Sequence, residues 1–184
     1  MQPTTRVGVR VTFLRMEERT PAPRPLPADT DLVRLAAPTV PFYRYLYGTV
    51  GGPYVWWLRR ALGDEQLLAI LRHPGVSVHV LYRGGEPAGF FELDASGRPV
   101  VNISYFGLTP AATGIGLGTA FLGAAIDAAW AEGARAITVN TCTADHPRAL
   151  PNYLRAGFQR VRAVDEVWDV PNRLGLQIPA HLRL

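Results

Sequence analysis

Valine alternates with other residues from Val7 to Leu14 (VGVRVTFL), the period of two that a half-buried strand shows. The same alternation, rich in β-branched residues, returns in Val76 to Tyr82 (VSVHVLY). Arg83-Gly84-Gly85-Glu86 then predicts a tight turn, with Ala88 to Asp94 coming back as the hairpin partner. Ala95 to Arg98 turns once more, and Val100 to Leu108 is predicted as the next strand, closed by Pro110. After a glycine-rich loop the period changes. Phe121, Leu122, Ala125, Ile126, Ala129 and Trp130 share one helical face, which predicts a helix to about Glu132, stopped by Gly133. Shorter helices are predicted from Asp64, as N-cap, to Arg72, and from Pro147 to Ala156. Ala136 to Thr141 reads as a strand, Phe158 to Val170 as a final strand pair, and Arg19 to Asp31 as a proline-rich loop. The residues from Pro171 onward read as irregular.

Antiparallel strands followed by strand–loop–helix–strand–helix–strand predict an α/β (α+β) fold. Its central sheet is mixed but mostly antiparallel, with helices on both faces. With 184 residues, no internal repeat and no linker, the chain is expected to form a single domain over residues 1–184. Apolar residues make up 48% of it, enough for a sizeable core.

Composition narrows the chemistry. No apolar run reaches the roughly 18 residues of a spanning helix, and the first residues lack a basic stretch leading into an apolar one. A cytoplasmic protein without membrane contact is therefore expected. Cys142 is the only cysteine, which excludes an intrachain disulfide and a cysteine-built metal site. No two histidines have metal-ligand spacing, so no metal is expected. The net charge of +4 comes with arginine as the sole basic residue besides histidine. Arginine pairs with phosphate in a bidentate fork. The arginines are scattered, however, and a nucleic-acid surface needs them clustered, so no nucleic acid is expected.

The most informative stretch is Phe106-Gly-Leu-Thr-Pro-Ala-Ala-Thr-Gly-Ile-Gly-Leu-Gly-Thr119. Glycines between a strand and a helix let backbone approach an anion closely, and the helix N-terminal amides then donate to it. This is the make-up of a pyrophosphate cradle; a tight turn that merely needs positive φ is the alternative. A dinucleotide fingerprint would want G-x-G-x-x-G after an early strand, and a triphosphate loop would want Gly-Lys-Ser/Thr, in a chain that has no lysine.

That order resembles the acetyl-CoA motif of the GNAT superfamily of N-acetyltransferases: an apolar strand, a proline, then Arg/Gln-x-x-Gly-x-Gly opening a helix. Thr113, Gly116 and Gly118 take the matching positions, and Gly114 also fits. Thr113 departs from the usual arginine or glutamine. Downstream, Asp145-His-Pro-Arg-Ala-Leu-Pro-Asn-Tyr-Leu-Arg-Ala-Gly-Phe158 is similar to the second GNAT motif, with Tyr153, Gly157 and Phe158 on pattern. The resemblance covers roughly residues 76 to 164. It implies acetyl-CoA as cosubstrate, held by Thr113, Gly114, Ile115, Gly116, Leu117, Gly118 and Thr119. It sets the acetyl carbonyl beside the backbone of Phe106 and Leu108, and His146 where an asparagine often touches the pantetheine arm.

Under that resemblance Tyr153 is expected as general acid toward the leaving thiolate, since a phenol keeps its proton at neutral pH. The strand before the loop, Asn102-Ile-Ser-Tyr105, holds no carboxylate, so Glu92 on the neighbouring hairpin strand is the candidate base, ahead of Asp94 or a water chain. Phe42, Tyr43, Tyr45, Tyr47, Tyr54, Trp56 and Trp57 crowd one short stretch interrupted by Gly51-Gly52-Pro53. They read either as one wall of an amine pocket, with Tyr47 and Trp56 against the substrate, or as a cap on one face of the sheet. The expected activity is acetyl transfer to the primary amine of a small molecule or peptide. A CoA-binding regulatory domain of the same fold is the alternative, and a homodimer is left open.

Overall fold

A computed structural model of the chain describes residues 3–19 and 24–184. Part of the expected Arg19–Asp31 loop therefore lies outside the described residues. Strands β1 (Thr4–Met16) and β2 (Thr30–Arg34) lead to helices α1 (Val40–Gly51), α2 (Leu58–Ala61) and α3 (Asp64–Leu71). Strands β3 (Val76–Arg83), β4 (Glu86–Asp94) and β5 (Val100–Leu108) form a meander. Helix α4 (Leu117–Ala131), strand β6 (Ala136–Cys142), helix α5 (Ala149–Arg155) and strand β7 (Gln159–Pro171) complete the chain, apart from short 3₁₀ turns.

The seven strands form one sheet in the order β2-β3-β4-β5-β6-β1-β7. Every neighbouring pair is antiparallel except β5 and β6, which helix α4 joins as a parallel crossover. The mixed, mostly antiparallel sheet with helices on both faces is as the sequence pattern predicts. Alternation along β4 shows how the faces divide. Phe91 and Leu93 pack with Phe121, Leu122 and Ile126 of α4, whereas Phe90 packs with Tyr43, Leu46 and Val50 of α1.

Three expectations need correction. The segment 159–171 is one strand rather than a pair, because its whole length is matched by β1, from Thr4↔Pro171 to Arg15↔Gln159. The N-terminal strand thus lies inside the sheet, between β6 and β7, a long-range pairing that local pattern does not encode. Strand β2 was not expected at all; with Asp31 and Arg34 among its five residues it has no apolar period, and pairing to β3 alone creates it. Helix α3 starts one residue earlier than expected, with Gly63 as N-cap and its N–H bonded to Gln66 Oε1 at 3.0 Å. The chain end is irregular as expected, with only short 3₁₀ turns, and it packs along β1. Val7 bridges Arg183, Leu184 N donates to Arg6 O at 3.1 Å, and Ile178 and Leu182 cover Val7 and Val9. This fills the stretch of β1 that β6, paired only with Val11–Met16, leaves uncovered.

Candidate active site

Strands β5 and β6 pair only from Val100↔Ala136 to Ile103↔Val139. Beyond that, β5 continues along β4 and β6 continues along β1, so the sheet opens as a wedge. A bulge sharpens the divergence: Leu93 faces Ile103 and Glu92 faces Tyr105, leaving Ser104 as the extra residue. Backbone groups of 104–108 that point away from β4 lose a strand partner and open onto a cleft of about 710 Å³.

The glycine loop forms one end of this cleft. Gly116 is the N-cap of α4 with φ 88°, it provides no side-chain cap, and Gly114 has φ 85°. A Cβ at either would meet nothing within 4 Å, so the glycines serve backbone conformation rather than packing against protein. The first-turn amides of α4 are left without a side-chain acceptor and carry the positive end of the helix dipole. Open space above an uncapped helix start fits a pyrophosphate. Thr113, Gly114, Gly116, Gly118 and Thr119 line the cleft, with Phe106 and Leu108. Thr113 itself closes the turn, its hydroxyl donating to Thr109 O at 3.0 Å. Ile115 is exposed at the loop tip, and Leu117 is buried beneath it among α4 core residues. Neither of these two side chains lines the cleft.

Helix α5 supplies the opposite side. Tyr153 is buried to 6% exposure, edge-on to Phe158 and Phe106 at ring distances of 5.8 and 6.3 Å, and lines the cleft. Burial first, and the Asp145 carboxylate second, hold its phenol above the ordinary tyrosine range, so it keeps its proton. His146 lines the cleft with its Nδ1 accepting from Arg148 N at 3.0 Å and its ring edge-on to Tyr54 at 6.0 Å.

The aromatic stretch divides between the two readings open to it. Tyr43 is fully buried under α1, and Phe42 stacks on Tyr45, which is 51% exposed; these three do not reach the cleft. Tyr47, Tyr54, Trp56 and Trp57 line it. Tyr47, Trp56 and Tyr105 form a triangle of rings with centroid distances of 5.4, 4.9 and 5.1 Å. The chain reaches this arrangement through a strained turn. Val55, a buried β-branched residue, has φ 59°, and a Cβ at Gly51 would lie 2.4 Å from the Trp56 ring.

Glu92, expected as a base, is fully buried on the α1 side and does not line the cleft. Its Oε1 accepts from Arg59 Nη2 at 2.6 Å and its Oε2 from Tyr43 Oη at 2.5 Å. Burial opposes the charge on Arg59, and Glu92 outweighs it, raising Arg59 above its usual value. The pair ties α2 to the sheet.

Asp145 is the carboxylate that does line the cleft, and sequence reasoning gave it no role. Its Oδ2 accepts from Thr141 Oγ1 at 2.7 Å and Cys142 N at 2.9 Å; its Oδ1 accepts from Trp56 Nε1 at 3.2 Å. Only its place in the turn after β6, one residue before His146, could have marked it. Burial, then Asp145, push the Cys142 thiol up to about 12, so Cys142 stays a thiol at neutral pH. Among the described residues no cluster of three or more metal-ligating side chains occurs, and no helix is long and apolar enough to cross a membrane.

The sequence profile of the Acetyltransferase (GNAT) family matches residues 41–158. No curated protein matches the chain. A GCN5-related N-acetyltransferase from Kribbella flavida is similar in structure, with a TM-score of 0.60 and 18% identity over 91% of this chain and 60% of its own. A tandem GNAT protein from the clavulanic acid biosynthesis pathway aligns with a TM-score of 0.58 and 16% identity, over 91% of this chain and 55% of its own. An aminoglycoside acetyltransferase from an uncultured soil metagenomic sample, in complex with trehalose, aligns with a TM-score of 0.57 and 17% identity over 70% and 88%. At these identities the likeness shows the fold alone. The chain spans a little over half the length of the first two.

Proposed function

Since the chain belongs to the GNAT acetyltransferase family, we propose that it moves an acetyl group from acetyl-CoA to the primary amine of a small molecule or peptide in this cleft. The observation that carries the reading is the uncapped start of α4, with two left-handed glycines under open space, facing the wedge between β5 and β6. The amides of residues 116–119 would hold the pyrophosphate, with Arg148 and Arg155 lining the same cleft as countercharges.

Acetyl-CoA bound there would supply the thioester carbon that the amine nitrogen attacks. In the balance a C–N bond forms and a C–S bond breaks; the amine gives up one proton and the sulfur takes one. Backbone N–H groups near Phe106 and Leu108, freed from strand pairing, would stabilise the oxyanion. Tyr153 would hold the proton for the sulfur at its Oη. Tyr47 and Trp56 would form one wall for the acceptor. Glu92, with both oxygens engaged, would serve this reading by fixing Arg59 over the Tyr105 ring, and the amine proton would pass to water.

The test is acetyl-CoA binding read as a thermal shift, together with free-thiol release over a panel of amines. The reading requires a shift at millimolar acetyl-CoA that Gly116→Val abolishes. No shift in the wild-type protein would sink the cofactor assignment.

A further inference from the structure

Among the described residues the cleft has one acidic side chain, held by three hydrogen-bond donors. Asp145 is the sole carboxylate among the described residues that line it, against Arg148, Arg155 and His146. A carboxylate offers about four lone-pair positions. Oδ2 is filled by Thr141 and Cys142, whereas Oδ1 accepts from Trp56 alone and keeps one position open. The three donors fix the carboxylate in place. Trp56 also sets it against the ring triangle with Tyr47 and Tyr105, and Tyr54 stands close enough for the Asp145 charge to raise its phenol, after the larger effect of burial. A pinned carboxylate beside aromatic faces is the make-up that recognises an ammonium carried on an apolar or aromatic body.

We propose that Asp145 Oδ1 binds the ammonium of the acceptor, and that the acceptor is a monocationic amine with an apolar or aromatic body rather than a polycation. This rests on the acetyl-transfer reading and names its substrate class. One carboxylate balances one charge. A second or third ammonium on the same molecule would find no second carboxylate among the described residues that line the cleft. The ammonium first gives one proton to water; the neutral amine keeps two N–H groups, so the contact with Oδ1 persists as the nitrogen turns to the thioester carbon, and the proton it loses on C–N bond formation is the one balanced at the sulfur. Asp145 is a recognition group here and does not itself carry the proton.

The experiment compares phenethylamine, its neutral counterpart 2-phenylethanol, and the polycation kanamycin, each titrated calorimetrically into the protein saturated with CoA. The wild-type protein should prefer phenethylamine over 2-phenylethanol by about tenfold or more, the size expected of one charge-assisted hydrogen bond. It should bind kanamycin more weakly than phenethylamine. In Asp145→Asn, which keeps the shape and removes the charge, the preference should fall to near unity while CoA affinity stays within about twofold. Should that variant fail to fold, Asp145→Glu keeps the charge and moves it by one methylene. It must then retain the amine preference with a changed ranking of benzylamine against phenethylamine. Equal affinity of the wild type for amine and alcohol, tighter binding of kanamycin, or a preference that survives in Asp145→Asn overturns the proposal. Failure of the wild type to bind CoA at all is a separate result, which takes down the acetyl-transfer reading and this proposal with it.

Discussion

The Arg59–Glu92 pair offers the sharpest test of how the aromatic side of the cleft is held. Glu92 is fully buried on β4, while Arg59, on the four-residue helix α2, keeps a side-chain exposure of 19%. Replacing Arg59 with Met retains length and apolar bulk but leaves a buried carboxylate with one remaining donor, Tyr43 Oη. Breaking a buried pair from one side costs about 3–5 kcal/mol, because the orphaned charge has lost its solvent and its partner together. Glu92→Gln should cost less, about 1–3 kcal/mol, because its carbonyl oxygen still accepts from a donor and Arg59 reaches water. Urea denaturation followed by circular dichroism measures both. With a slope of about 2 kcal/mol/M, Arg59→Met should lower the midpoint by about 2 M. The double variant should cost less than the sum of the singles by about 1–3 kcal/mol, since the second change removes the charge that the first one stranded. A loss below about 1 kcal/mol in Arg59→Met, or singles that add within about 0.5 kcal/mol, would refute the argument that this pair carries α2. Acetyl-transfer rates on folded Glu92→Gln address the base directly: a positioning group leaves turnover largely intact, and a base does not.

Tyr153→Phe should lower turnover by about 10²–10⁴-fold with acetyl-CoA affinity nearly unchanged, measured under conditions where chemistry limits the rate; an unchanged rate returns Tyr153 to packing. Gly51→Ala should destabilise by about 1–3 kcal/mol and raise the Michaelis constant for the amine more than that for acetyl-CoA, because the added methyl would sit 2.4 Å from Trp56; a thermal melt beside steady-state kinetics checks it. His79 is buried against Phe91, ring over ring at 4.5 Å, and burial first, with Arg34 second, lowers it to about 4. The unfolded chain then binds the extra proton from about pH 6.5 downward and the folded chain only near pH 4. Stability should therefore fall as pH drops across that window, by at most about 3 kcal/mol, and His79→Phe should flatten the slope.

The strands and helices whose hydrophobic period is written in neighbouring residues could be read from the chain alone. Strands β3, β4 and β5 and helix α4 fall within a few residues of expectation, since the alternation of VSVHVLY and the helical face of Phe121, Ala125 and Ala129 are local facts. The glycines of the α4 loop and the Tyr153 helix were legible for the same reason: backbone freedom at Gly114 and Gly116 is a property of the residue itself. What the tertiary structure decided depends on residues distant in the chain. Strand β1 enters the sheet between β6 and β7 only because β7 can run antiparallel to it over its full length, and β2 exists only as the partner of β3. The same holds for the charges. Glu92 and Asp145 look alike as carboxylates near strands. Arg59, 33 positions from Glu92, takes the first into the core, while Trp56, 89 positions from Asp145, fixes the second in the cleft. A carboxylate's role follows from its solvent and its partners, and those are set by pairing across the sheet rather than by the residues beside it in sequence.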